Sequence, residues 1–311
     1  MTTTGPVVVA VPAQDEHHAA VQYGAREVLR TGGELRLVHC YQLRPTGPET
    51  ELVEFTSIEA TARTVIDAAR ERAEHLVGDP APEGVTVTAR TAHGAAVHRL
   101  VEAGENARMV VLERRDLSRA RRAVTRSTTS GVAARAHVPV VVVPPGWSPA
   151  AADSKPVTVA VDDASSASSL LRTALDQART AGTTLRVFHA WWFPTAYEDL
   201  SVDPVGAAEW TERARHEIEE ALAGPRAEYP DVPVEIEVHH GRPADLLLAE
   251  AERSALLVVG RHDPAIPLGS HLGPVARTVL REAACPVLVA APVESHHHGH
   301  RPHRHQVGSH A

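Results

Sequence analysis

Gly260, Gly273 and Asp162 are the residues of this sequence best placed to hold an anionic ligand. The apolar run Leu256 to Val259 ends on Gly260, and a loop rich in Gly and Pro follows. Gly273-Pro274 then opens a helical segment, and a second apolar run, Pro286 to Ala291, closes the unit. The order predicts strand, loop, helix, strand. Backbone N–H groups at such a helix start point beyond the strand tip, where they attract negative charge. Asp162 directly follows the apolar Val159-Ala160-Val161. A carboxylate one residue past a strand suits a ribose hydroxyl, and open α/β sheets bind ligands beyond the carboxyl ends of their strands.

The segment from Ala255 to Ala291 resembles the C-terminal third of a universal stress protein domain. That family's loop carries Gly, two residues, Gly, nine residues, then Gly followed by Ser or Thr. Gly260 and Gly273 fit this pattern, and Gly269 is a frequent glycine between them. Asp263 stands at the second glycine and Pro274 at the Ser/Thr position, so the nucleotide signature is degraded. The resemblance implies that Asp162 binds the adenosine end of a nucleotide and that Gly241, after the third strand, lies in the same cleft. Asp263 tolerates a left-handed backbone less well than Gly. Its charge beside a polyphosphate costs on the order of 1–4 kcal/mol at a surface-like dielectric. Pro274 supplies neither a hydroxyl nor an N–H, although Pro suits a first helical turn. Arg261, His262 and His271 add donors that would offset part of this loss, and a plain solvated loop is the competing reading.

The rest of the chain offers little reactive chemistry. No Ser-His-Asp arrangement, zinc-spaced Cys/His set or paired carboxylates stand at recognisable spacing, so no nucleophile, general base or resident metal site is expected. His39 and His189 end equivalent strands and read as satisfied structural groups. Trp191-Trp192 either lines a cleft or caps a core. Six arginines crowd residues 114–126: Arg114, Arg115, Arg119, Arg121, Arg122 and Arg126. They form either a guanidinium site for an anion or phosphorylated partner or a solvated loop.

These residues are positioned by a duplicated unit. Val9-Ala10-Val11 recurs as Val159-Ala160-Val161, and Leu35-Arg36-Leu37-Val38-His39 as Leu185-Arg186-Val187-Phe188-His189, each 150 residues on. His93-Gly94 recurs as His240-Gly241, and Pro139-Val140 as Pro286-Val287, each 147 on. The offset shortens once, which marks a tandem duplication. In the first copy, strands are expected at Pro6–Val11, Leu35–Tyr41, Val85–Arg90, Arg108–Leu112 and Val138–Pro144. Helices are expected at Asp15–Arg30, Ile58–Val77, Ala95–Ala103 and Ser127–Ala136, with a polar connection over Leu43–Ser57. Near-continuous Val and Leu strands alternating with helices predict an α/β fold, each copy a doubly wound parallel sheet covered on both faces. The family resemblance implies five strands per copy in the order 3-2-1-4-5, and an intramolecular pseudo-dimer formed by pairing the last strands. The expected units are domain 1 at 1–145, a linker at 146–155, domain 2 at 156–293 and a His-rich tail at 294–311.

The first copy is the poorer nucleotide site. Its first strand ends Val11-Pro12 with no Asp, and Glu113, Asp116 and Arg126 replace the three loop glycines; Ser127 alone matches. The chain has 311 residues, net charge −8 and a pI near 6.2, which excludes a general nucleic-acid binder. No apolar run reaches membrane-helix length and no signal peptide is evident, so a cytoplasmic protein with no membrane partner is expected. Cys40 and Cys285 read as small buried residues rather than a disulfide framework. Two functions follow: a non-enzymatic stress-response module with one residual adenine-nucleotide site (AMP or ATP, held weakly if at all), or a nucleotide-free protein acting through a protein partner. A genuinely ATP-binding, nucleotide-dependent signalling module is the alternative to a degraded site, and a slow ATPase ranks last. Domain pairing leaves higher oligomers open.

The tail carries seven of the twenty histidines, broken up by Gly, Arg and Pro, and reads as low-complexity and unstructured. Neutral imidazoles ligate nickel, zinc or copper, but such a segment fixes no geometry. Deleting Glu294–Ala311 is therefore expected to leave the thermal midpoint nearly unchanged in metal-free buffer. A drop of several degrees by calorimetry would show that the tail is docked.

Overall fold

A computed structural model describes residues 5–13, 18–42, 51–114, 128–192, 204–261 and 272–292. Strands of the first copy are β1 (Val7–Val11), β2 (Gly33–Tyr41), β3 (Val85–His93), β4 (Met109–Glu113) and β5 (Val140–Val143). Those of the second are β6 (Val157–Ala160), β7 (Leu185–Trp191), β8 (Val234–His240), β9 (Leu256–Val259) and β10 (Val287–Val289). The helices are α1 (Ala19–Thr31), α2 (Glu51–Val77), α3 (Ala96–Gly104), α4 (Thr128–Arg135), the single turn α5 (Pro149–Ala152), α6 (Ser168–Ala181), α7 (Pro204–Ala227), α8 (Pro243–Ala251) and α9 (Pro274–Glu282).

All ten strands join one sheet in the order β3-β2-β1-β4-β5-β10-β9-β6-β7-β8. Each half has the expected 3-2-1-4-5 order, and pairing within each half is parallel. The halves meet where β5 and β10 run antiparallel, with Val140 opposite Val289, Val141 opposite Leu288 and Val142 opposite Val287. An exposed run of four valines would be an open edge for association. Here each half covers the other's edge, which makes the chain an intramolecular pseudo-dimer.

Successive strand residues point to opposite faces, and both faces are buried. Val7, Val9 and Val11 enter one core with α1 and α2, which continues under α6 and α7. Val8 enters the second core with α3 and α4, which continues under α8 and α9. This explains the unbroken Val and Leu runs, since no strand position in the centre of the sheet faces water.

One expectation is corrected. The helix predicted from Ile58 begins at Glu51, so nearly half of the expected connection, residues 51–57, is helical. Its buried stripe runs through Ala62, Ile66, Ala69, Ala73 and Val77. The segment at 146–155 carries structure of its own. Trp147 is buried in the first core against Tyr23, ring centroids 5.3 Å apart, and α5 follows. Arg26 holds that turn in place by donating to the Pro149 carbonyl at 3.3 Å and to Asp153 at 2.5 Å. Among the described residues, no helix is long and apolar enough to cross a membrane.

Candidate functional site

The strand order reverses between β6 and β9, and the residues just past these strands define the candidate site. The Val161 amide donates to the Phe188 carbonyl at 3.0 Å, which extends the β6–β7 pairing by one step before the chain turns. The His189 ring Nδ1 lies 2.8 Å from the Val161 carbonyl, and His39 repeats the contact with Val11 at 2.8 Å. Both histidines are thus held as structural groups, as their paired positions suggest. Asp163 caps the next turn by accepting from the Ser165 amide at 2.9 Å and its hydroxyl at 2.8 Å. Those hydrogen bonds hold the Asp163 carboxyl below its usual range. Asp162 is exposed, and its carboxylate receives no hydrogen bond from the described residues. It is left to interact with whatever enters the cleft.

The three glycines play different parts. Gly241 follows β8 with φ of +148°, a backbone state that other residues rarely adopt, and a Cβ there would lie 3.2 Å from Leu246. Gly94 in the first copy has φ of +128°. Gly260 has ordinary backbone, and a Cβ would sit 3.4 Å from Leu170, an ordinary contact, so neither the turn nor packing within the described residues requires glycine there. Gly273 is the N-cap of α9 in extended conformation with no side-chain cap, and Pro274 occupies the first helical position. The helix survives the Pro, as expected. Val275 and Ala276 then carry the remaining N–H donors of the first turn. Asp263, Gly269, His262 and His271 lie outside the described residues.

Arg261 does not serve this cleft. It donates from Nε to the Ala290 carbonyl at 2.8 Å and from Nη2 to the Val138 carbonyl of the first copy at 3.4 Å. Burial lowers its pKa to about 10. Arg114, its equivalent by the 147-residue repeat, donates to the Ala283 carbonyl of the second copy at 2.7 Å. The pair therefore reaches across the β5–β10 seam, each guanidinium capping backbone of the other half. This corrects Arg114 and Arg261 as anion donors. The remaining arginines of the basic stretch, Arg115 to Arg126, lie outside the described residues, as do Asp116 and Ser127.

In the first copy the cleft holds a carboxylate of its own. Glu113, which stands where the second copy has Gly260, accepts from the Ala20 amide at the start of α1 at 3.2 Å. A helix start that would attract an anion is thus met from within the chain. Both copies pair rings at the ends of their second and third strands, Tyr41 with His93 at 5.4 Å in the first, and the second carries the larger cluster. Trp191 stacks on His240 at 4.2 Å across the β7–β8 register and donates to Thr211 at 3.3 Å. Trp210 lies 6.5 Å from Trp191, and Arg242 stands 6.0 Å over Trp192. The Trp191-Trp192 pair was legible as a cleft or cap; its stacking partner His240 was not singled out, because that contact needs the β7–β8 register. Among the described residues no cluster of metal-ligating side chains forms. Burial raises the Cys40 thiol to about 11 and Cys285 to about 12, which leaves neither as a nucleophile.

Comparison with known proteins agrees with this fold. The model of the universal stress protein family matches residues 3–144 and again 154–291. A universal stress protein of Mycolicibacterium smegmatis is 31% identical over 293 residues, covering 92% of this chain and 97% of its own. Universal stress protein Rv1996 of Mycobacterium tuberculosis is 29% identical over 300 residues, covering 91% and 94%. Among solved structures, a universal stress protein from Archaeoglobus fulgidus DSM 4304 matches with TM-score 0.65 at 18% identity, covering 91% of this chain and 95% of that one. That last likeness speaks for the fold.

Proposed function

The chain belongs to the universal stress protein family, and on that premise we propose that it is a non-enzymatic stress-response module with one degenerate adenine-nucleotide site, in its second half. We read it as domains at 1–145 and 156–293 around a linker at 146–155. The observation that carries the reading is the contrast between the copies. At the switch point of the second, Asp162 is exposed and its carboxylate has no hydrogen bond from the described residues, at the same end of the sheet as Gly241 and Gly260. At the matching place of the first there is no Asp, and Glu113 already meets the helix start. Asp162 suits a ribose, the Trp191–His240 stack gives planar surface at the same end of the sheet, and Gly273 opens the α9 start to the phosphate side.

Pro274 and Asp263 weaken the phosphate half of this cleft. AMP or adenosine is therefore expected to bind at least as well as ATP, and ATP weakly or not at all. Calorimetry with AMP and ATP on the unaltered chain and on Asp162→Ala makes the comparison. Asp162→Ala should reduce AMP binding about tenfold, the loss of one charged hydrogen bond. Submicromolar ATP binding would favour a genuinely ATP-dependent signalling module. Nucleotide binding untouched by Asp162→Ala would place the ligand elsewhere and sink the assignment.

A further inference from the structure

We propose that the seam between the two copies holds a second binding site, for a small uncharged molecule that both donates and accepts hydrogen bonds, of the primary-amide type. A cavity of about 70 Å³ lies between α1, α6 and the linker turn, next to Val157 and Leu256. These residues begin β6 and β9, so the cavity is at the opposite end of the sheet from Asp162. It holds room for several waters or a molecule of a few heavy atoms.

Two buried polar side chains face it, one of them without any partner. Trp147 is 8% exposed, and its indole N–H is enclosed with no acceptor. Glu27 is 5% exposed, and its carboxylate receives no hydrogen bond from any described residue; Thr31 donates to its backbone carbonyl, and Arg30, Arg108 and Arg26 act on its charge only through space. Leaving such groups unmet is costly. Both line the cavity, and so does Gln177, the residue that the 150-residue repeat places opposite Glu27 in the pseudo-dimer. Arg26, Arg30 and Lys155 line it with Asp153 and Glu27, so both signs of charge are present and neither a bare cation nor a bare anion is favoured. An amide oxygen accepts from Trp147, and an amide N–H donates to Glu27. Burial pushes the Glu27 carboxyl up, toward its neutral form. An amide suits that form too, because its oxygen also accepts from a protonated carboxyl.

The site is built partly from the linker. Trp147, Asp153 and Lys155 all belong to it, and Arg26 ties α1 to Asp153. Occupancy would therefore fasten the linker to the first domain.

The test uses the full-length chain labelled with nitrogen-15, with acetamide as probe and acetate and methylammonium as charged counterparts. Trp147→Phe identifies the Trp147 indole resonance. Acetamide is expected to shift that resonance saturably, with a Kd on the order of 1–10 mM for so small a ligand, while the indoles of Trp191, Trp192 and Trp210 stay in place. Glu27→Met should weaken the effect at least tenfold and raise the thermal midpoint by a few degrees, because it removes a buried unpartnered carboxyl. Glu27→Gln, which keeps an amide acceptor and donor, should retain binding within a few-fold. A shift that never saturates, meaning water only, would overturn the proposal. So would tighter binding of acetate or methylammonium, or acetamide binding indifferent to Glu27→Met.

Discussion

Glu250→Ala is expected to destabilise the second half by about 3–5 kcal/mol, the range for breaking a buried ion pair from one side. The Glu250 side chain is fully buried in α8. Its carboxylate accepts from Arg186 at 2.8 Å, Arg253 at 2.5 Å and Thr158 at 3.2 Å. Ser254 lies 2.7 Å from Thr158 and donates to the Glu250 carbonyl at 2.9 Å, so the whole cluster is satisfied. Removing the carboxylate costs Arg186 its one buried partner and leaves the Thr158 hydroxyl in the core with Ser254 alone. The first copy shows that the fold does not need the cluster. The residues matching Thr158, Glu250 and Ser254 are Val8, Ala103 and Ala107, all buried. The triple change Thr158→Val, Glu250→Ala, Ser254→Ala should accordingly recover most of what the single change loses. Chemical denaturation of the three proteins decides it, and equal losses in single and triple variants would refute the argument.

The pH dependence follows with a definite sign. Burial alone would raise the Glu250 carboxyl, but the hydrogen bond and charge of Arg186, with Arg253, outweigh it and hold the group below the usual 4.5. A carboxyl depressed in the folded state contributes stability above its unfolded pKa and loses it as pH falls through the folded value. The gap between the unaltered chain and Glu250→Ala should therefore be full at neutral pH and narrow below about pH 4.5. A gap that widens on acidification would contradict the assignment.

Asp263→Gly combined with Pro274→Ser is expected to raise ATP affinity about a hundredfold, while AMP affinity changes several-fold at most. The first change removes a charge that opposes polyphosphate, and the second restores an N–H and a hydroxyl at the start of α9. Together these amount to roughly 3 kcal/mol. Gly260 and Gly273 already have backbone that the repaired loop can use. Calorimetry on the double variant, with and without Asp162→Ala, tests the whole reading. If the gain persists without Asp162, or if ATP and AMP improve equally, the phosphates do not lie where the α9 start points.

The amino-acid sequence by itself determined the duplication, the α/β class and the chain positions of the strands. Repeats and apolar runs are local patterns, and a strand buried on both faces must be written as one. Asp162 and Gly241 were also legible, because each sits at a strand end whose place in the repeat is clear. The tertiary structure alone decided what their neighbours do. Arg114 and Arg261 look like loop cations in sequence, yet they bond carbonyls 169 and 123 residues away across the β5–β10 seam. Glu113 looks like a lost glycine, yet it serves the start of α1, 93 residues earlier. Glu27 and Trp147 read as one polar helix residue and one linker aromatic until α1 and the linker close on each other. Spacing along a chain reports which face a residue shares, while the partner on that face is set by how distant elements pack.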